Sequence, residues 1–333
     1  MLQLSTKKNI LLDVPENIDE DKTPRFLSSN INEAIKYYIE NGYVIFSECV
    51  NHNDCDQILQ SWKNEIKPFK GNISRQTTGK AERNIFNDNK WVMNPILNLQ
   101  SLNPKKFYNL RKITEEKIFN NENICELLSK LFNDKPKIIQ SMFFEGNSFT
   151  QEHQDTYYLD SEKIGNLTAA WIALEEIKAD AGRFFICSKS HKIDIKELKY
   201  YNKILSNHDL YVEEIISICK KNNFEFKAPY LNKGDVLFWN SKTLHGSLNS
   251  TSKTNSRSSI TMHAIPSKER HMQWHTRYIN MKLDDLGKSL IYRKKDQALL
   301  MNRIVLFCES KFPGLFYLLK KIVAKYIFRQ SHY

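Results

Sequence analysis

The pattern of apolar and polar positions changes character at about Pro136. Upstream, apolar residues recur at spacings of three to four, the period of a helix with one buried face. Ile31, Ala34, Ile35, Tyr38 and Ile39 form such a stripe from Ser29 onward, and Asn41-Gly42 supplies its stop. Tyr43–Phe46 then reads as a short buried strand. Asn53 or Asp54 is placed to cap a second helix running to Lys67, and two more helical patterns fall at about 104–119 and 122–133. Residues 71–102 are rich in Asn and weakly periodic, which predicts a long loop, and loops of that length often cover functional sites.

Downstream, the predicted elements are short strands. Lys137–Glu145, Thr150–Asp155, Leu167–Ile177, Arg183–Cys187, Glu225–Lys227, Asp235–Asn240 and Arg257–Ile265 are apolar or alternating runs separated by turn residues. A helical insertion at about 194–222 interrupts them, and the region from about 289 is helical again. Helices feeding many short strands indicate an α+β fold, with the strands packed as a sandwich or barrel. Residues 1–28 read as an irregular N-terminal segment, 29–280 as one domain, and 281–333 as a helical, basic C-terminal extension.

Composition adds little to this outline. A chain of 333 residues that is 41% hydrophobic and 26% charged is an ordinary globular protein. Six scattered cysteines, never at C-x-x-C spacing, argue against a disulfide framework or zinc knuckle and suit a reducing cytosol. The N-terminal stretch holds no apolar run of signal-peptide length, and no run is long enough to span a membrane, so a cytoplasmic location is expected. The net charge of +11 favours anionic partners but is scattered, unlike the clusters that nucleic acid requires.

The segment Gln151 to Tyr158 carries the chemistry. Residues i and i+2 of a strand share a face, so His153 and Asp155 are predicted to project together. His245 follows the buried run Gly234–Asn240 and precedes Gly246, which lets backbone approach a site, so it is the expected third ligand. Two histidines and a carboxylate with open positions form the facial triad of non-haem iron oxygenases. Arg257, twelve residues after His245, and Ser247, two after it, are placed to hold a carboxylate, the arginine in a bidentate grip.

These residues resemble the phytanoyl-CoA dioxygenase family of Fe(II)/2-oxoglutarate oxygenases, from Asn41–Phe46 to about Pro266. The matching pieces are His153-Gln154-Asp155, Trp171, the stretch Gly182–Lys192, and Lys233–Trp239 continued through His245 and Ser247 to Arg257. The resemblance implies a double-stranded β-helix (jelly-roll) core, with Fe(II) on His153, Asp155 and His245. It implies 2-oxoglutarate on Arg257 and Ser247, with Trp171 and Gln140 lining the cosubstrate pocket, and O2 as co-reactant. Related halogenases lack the carboxylate of the triad, so Asp155 implies hydroxylation, with release of succinate and CO2. The family's Pro-Gly before Ser-His is replaced by Ser188-Lys189, and His191 in that element is expected to be structural.

The substrate is not written in these motifs. Arg75 and Arg83 in the loop 71–102 are candidates to grip an anionic group. Near the C-terminus, Leu315, Leu318, Leu319, Ile322, Val323, Tyr326 and Ile327 share one helical face, with Lys320, Lys321, Lys325 and Arg329 around it. Such a stripe either packs on the domain or lies on an anionic membrane through residues 313–329. A small-molecule substrate, anionic or lipid- or sugar-linked, fits these features. Nucleic acid is an unlikely partner and no partner protein is expected. The rivals are a nucleic-acid demethylase with the same triad and a non-enzymatic jelly-roll binding module, which would need neither Arg257 nor Ser247.

Overall fold

The computed structural model describes residues 1–146, 149–194, 207–274 and 277–330, with side chains as far as Val323. In chain order, strands β1 (Leu2–Ser5) and β2 (Leu11–Val14) form an antiparallel hairpin in the segment expected to be irregular. Leu12 and Val14 are buried, so the period-two pattern there is genuine, though short enough to be overlooked.

Helix α1 (Ile31–Asn41) buries Ile31, Ala34 and Tyr38. It ends where Gly42 takes the left-handed conformation at φ 80° and donates its amide to Tyr38 O. A Cβ on Gly42 would stand 2.4 Å from His191 Nδ1, so glycine is required twice over. Strand β3 (Tyr43–Phe46) follows, fully buried. Helix α2 (His52–Ser61) is capped by Asn51 and not by Asn53 or Asp54, and continues as one π turn through Ile66. Helices α3 (Tyr108–Thr114) and α4 (Glu122–Phe132) fall where the periodicity puts them.

The strand half comprises β4 (Pro136–Phe144), β5 (Thr150–His153), β6 (Thr168–Ala173), β7 (Phe184–Cys187), β8 (Val236–Asn240), β9 (His245–Ser247) and β10 (Ser259–Pro266). Helix α5 (His208–Lys221) is the described part of the predicted insertion, whose residues 195–206 lie outside the described ones. A final strand β11 (Leu290–Tyr292) precedes helices α6 (Leu300–Lys311) and α7 (Pro313–Gln330). The extension expected to be helical from about 289 thus begins by adding β11, parallel to β4, to the main sheet.

The main sheet runs β11-β4-β10-β6-β8-β3, with further short strands at both edges. A smaller sheet runs through β7-β9-β5, with Phe226–Lys227 on its outer edge. The two sheets pack face to face through Trp171, Phe184, Ile186, Leu237 and Trp239. The other face of the main sheet carries the helices, where Trp62 stacks on Phe143 with ring centroids 3.8 Å apart. Each such buried aromatic contributes roughly 2–3 kcal/mol through the area it removes from water. Five cysteines are buried and unpaired; Cys308 on α6 is partly exposed.

The long loop is pinned rather than open. Buried Arg75 donates to the carbonyls of Glu82 and Asn94 and to Asn84 Oδ1. Its charge is spent on its own loop, so of the two arginines proposed to grip substrate only Arg83 is exposed.

Candidate active site

His153 and His245 face each other across an antiparallel pair, β5 against β9, with ring centroids 4.2 Å apart. In each ring Nδ1 meets the carbonyl two residues back, Gln151 O at 2.8 Å and Thr243 O at 2.9 Å. A proton on Nδ1 satisfies those carbonyls and leaves each Nε2 as a lone pair pointing into the cavity. Strand β5 ends at His153, and Asp155 opens a 3-10 turn instead of continuing the strand. Its Oδ1 still lies 3.6 Å from His153 Nε2 and 3.7 Å from His245 Nε2. Its Oδ2 accepts from Trp239 Nε1 at 2.8 Å. The ligand atoms of the three side chains lie within 4.8 Å of one another, close enough to share one ion.

Electrostatics fit a cation at this point. Burial alone would raise the Asp155 carboxyl, but His245, His263 and His153 together hold it well below the usual range. Burial, with His153 beside it, pushes His245 down to about 3, so its imidazole is neutral. Burial also opposes charge on His153, yet the neighbouring Asp155 carboxylate leaves it above the ordinary histidine value. A divalent metal needs an ionised carboxylate and unprotonated imidazoles; Asp155 and His245 stand ready in that state, and His153 must give up any proton on Nε2 to join them.

The cavity bordered by these groups, open to solvent on one side, has about 440 Å³ of space not filled by atoms. Arg257 lines it, buried, from the segment just before β10. One of its Nη atoms donates to Gly182 O at 2.6 Å and Phe144 lies under its guanidinium, while Nε has no partner. Burial lowers it only to about 10, so it stays charged at neutral pH. Among the described residues no carboxylate forms an ion pair with it. Ser247 Oγ accepts from Thr150 N at 2.7 Å, leaving its own proton to donate. Gly246 lies between His245 and Ser247 on β9, where a Cβ would stand 2.7 Å from Thr150 O.

Trp171 also lines the cavity, stacked on Phe184. Gln140 does not; it pairs with His263 across β4 and β10. His191 is a structural residue, its Nε2 meeting Ile39 O at the end of α1. Residues not singled out from the sequence also surround the site: Trp239, Thr261, His263 and Gln76. His263 Nε2 stands 3.3 Å from Asp155 Oδ2, off hydrogen-bond geometry, and neither of its ring nitrogens has a hydrogen-bond partner. A period-two reading onward from Arg257 would have found Thr261 and His263 on the same face.

Fold and donor set together fit the class of mononuclear non-haem metal enzymes, with a buried, unpaired arginine lining the same cavity. The model of the phytanoyl-CoA dioxygenase family matches residues 38–259, about two thirds of the chain, and the chain belongs to that family. The match places the three candidate donors inside the family's region of the chain. A curated relative, the phytanoyl-CoA dioxygenase domain-containing protein 1 homolog of Caenorhabditis elegans, is 25% identical over 187 residues. That match covers 53% of this chain and 63% of the relative.

Among solved structures, the chain is similar to the non-heme alpha ketoglutarate dependent carbocyclase SnoK from nogalamycin biosynthesis. The TM-score is 0.54 at 16% identity, covering 74% of this chain and 88% of that one. It is also similar to the epimerase SnoN in complex with Fe3+, alpha ketoglutarate and nogalamycin RO. There the TM-score is 0.53 at 12% identity, covering 81% of this chain and 97% of that one. At these identities the likeness establishes a shared mixed α/β fold.

Proposed function

We propose that the chain is a hydroxylase, in which His153, Asp155 and His245 hold Fe(II) and Arg257 and Ser247 hold the far carboxylate of 2-oxoglutarate. The observation that carries this reading is Arg257. A buried guanidinium without an acidic partner is costly, and it becomes favourable when a ligand brings the carboxylate. It lines the same cavity as the three donors, which is the arrangement a chelating 2-oxo diacid needs. Trp171 would wall the cosubstrate, while Gln140, opposite His263 on the neighbouring strand, stands outside the cavity lining. The two facing sheets suit a double-stranded β-helix over residues 29–280, following the N-terminal segment 1–28, and the extension 281–333 adds β11 to the larger sheet.

Fe(II) with 2-oxoglutarate supplies the activation of O2: substrate C–H, 2-oxoglutarate and O2 yield substrate C–OH, succinate and CO2. The protein's part is positional. The backbone carbonyls of Gln151 and Thr243 fix both imidazoles with Nε2 inward. Trp239 fixes the carboxylate, and Met142, Phe144 and Phe184 keep the cavity apolar on its other walls. The substrate class we favour is a small anionic or lipid- or sugar-linked molecule, on the strength of the positive charge.

The test is thermal melting with Fe(II) under anaerobic conditions, with and without 2-oxoglutarate. Binding to the folded state alone should raise the melting temperature by mass action, and Arg257→Ala should abolish that rise while keeping the response to metal. An Arg257→Ala protein that responds to 2-oxoglutarate as the wild type does would refute the assignment.

A further inference from the structure

We infer that the paired helices α6 and α7 form a docking surface for an anionic lipid bilayer. The pair is inverted relative to an ordinary surface helix, with its polar anchors turned to the protein and its apolar stripes to solvent.

Hydrogen bonds anchor the pair to the protein, while Leu306 and Phe307 of α6 also border a groove with Phe69 and Phe107. Glu309, buried on α6, accepts from Ala81 N at 2.9 Å and from the hydroxyl of Tyr317 on α7. Asn302 donates to Asp296 O and Arg303 to Gln297 O. The outward side is apolar. On α6, Leu300, Ile304 and Phe307 recur at helical spacing and are 44 to 63% exposed. On α7, Leu315, Leu318, Leu319, Ile322 and Val323 form a second stripe, 44 to 58% exposed. Single exposed apolar residues are ordinary, but two contiguous stripes on adjoining helices are a recognition surface. No helix among the described residues is long and apolar enough to cross a membrane, so the pair would lie in the interface plane.

Charge decides between occupants. Lys311, Lys320 and Lys321 are exposed beside the stripes, no acidic residue follows Glu309 in the sequence, and Glu309 is buried. A second copy docked by two-fold symmetry would bring these lysines together with no acidic residue from the pair to neutralise them. Anionic headgroups would neutralise them, each worth about 1 kcal/mol near the surface. The surface also adjoins the active site. The short hairpin of Ile73–Ser74 and Ala81–Glu82 carries Gln76 to the cavity at its turn and is tied to Glu309 at Ala81. This inference stands apart from the chemistry proposed above.

The full chain is mixed with vesicles of phosphatidylcholine alone, or with about 30% phosphatidylglycerol added, and floated on a density gradient. It should float with the anionic vesicles and not the neutral ones, and release as salt rises. Leu318→Glu with Leu319→Glu, and separately Lys320→Glu with Lys321→Glu, should each reduce the bound fraction at least about tenfold. Both pairs are exposed, so the fold should survive. Absence of flotation, equal flotation on neutral vesicles, or unchanged binding by both variants would overturn the inference. So would a dimer in lipid-free solution that the leucine pair dissociates, since the stripes would then belong to a second copy.

Discussion

Trp239 Nε1 donates to Oδ2 of Asp155, and the carboxylate is thereby turned so that Oδ1 alone faces the two histidines. The indole comes from the large sheet and both histidines from the small one, so this hydrogen bond sets the carboxylate between the layers.

Trp239→Phe should therefore weaken metal binding about 10- to 100-fold, the usual consequence of losing a partner that orients a ligand. Titration of the apoprotein with Mn(II) or Co(II) by calorimetry reads this directly. An affinity within twofold of wild type would show that the carboxylate is oriented by other means.

Arg257→Met should remove cosubstrate affinity yet leave the apoprotein within about 1 kcal/mol of wild type, or more stable. Replacing an unpaired buried charge by an apolar chain of similar reach removes a desolvation cost. Urea unfolding of the two apoproteins gives the comparison; a loss of several kcal/mol would mean that the bond to Gly182 O carries the local structure.

Arg75→Met should do the opposite. It would leave two carbonyls and the Asn84 amide oxygen without their donor, destabilising the protein by about 2–4 kcal/mol. Once folded, the variant should bind 2-oxoglutarate as wild type does. A specific loss of cosubstrate affinity without a change in melting would restore a ligand role to this residue.

The apoprotein should lose stability as pH falls from about 6.5 to about 4. Burial holds His271 at about 4 in the fold, against an ordinary histidine value near 6.5 once unfolded. Between those values the unfolded chain binds the proton and the folded one does not, so acid favours unfolding. His271 alone accounts for something on the order of 3 kcal/mol, and His245 acts in the same direction. His153, raised in the fold, acts against them. Chemical unfolding between pH 4 and 7 tests this, and a flat profile would contradict it.

The candidate donors were legible because spacing and strand alternation report directly on which side chains share a face. His153, Asp155 and His245 all face the cavity, although Asp155 does so from a turn and not from the predicted strand. Trp239 was hidden inside a run, Val236 to Trp239, that reads as plain core, because a buried indole and a buried leucine leave the same apolar signature. Arg75 was misread for the complementary reason, since charge in a sequence suggests solvent until its hydrogen-bond partners are known. The hairpin β1–β2 and strand β11 were missed because three or four residues give too little period to register. The outward apolar stripe on α7 could not be told from an inward one, as periodicity gives the face and not its direction.

The distribution of thiols has a practical consequence. Cys49, Cys55, Cys125, Cys187 and Cys219 are sealed in the interior, while Cys308 alone is partly open, on the helix that carries Phe307. A thiol-reactive fluorophore added to the native protein would therefore label one position without any engineering, and its emission would report on the polarity of whatever that helix lies against.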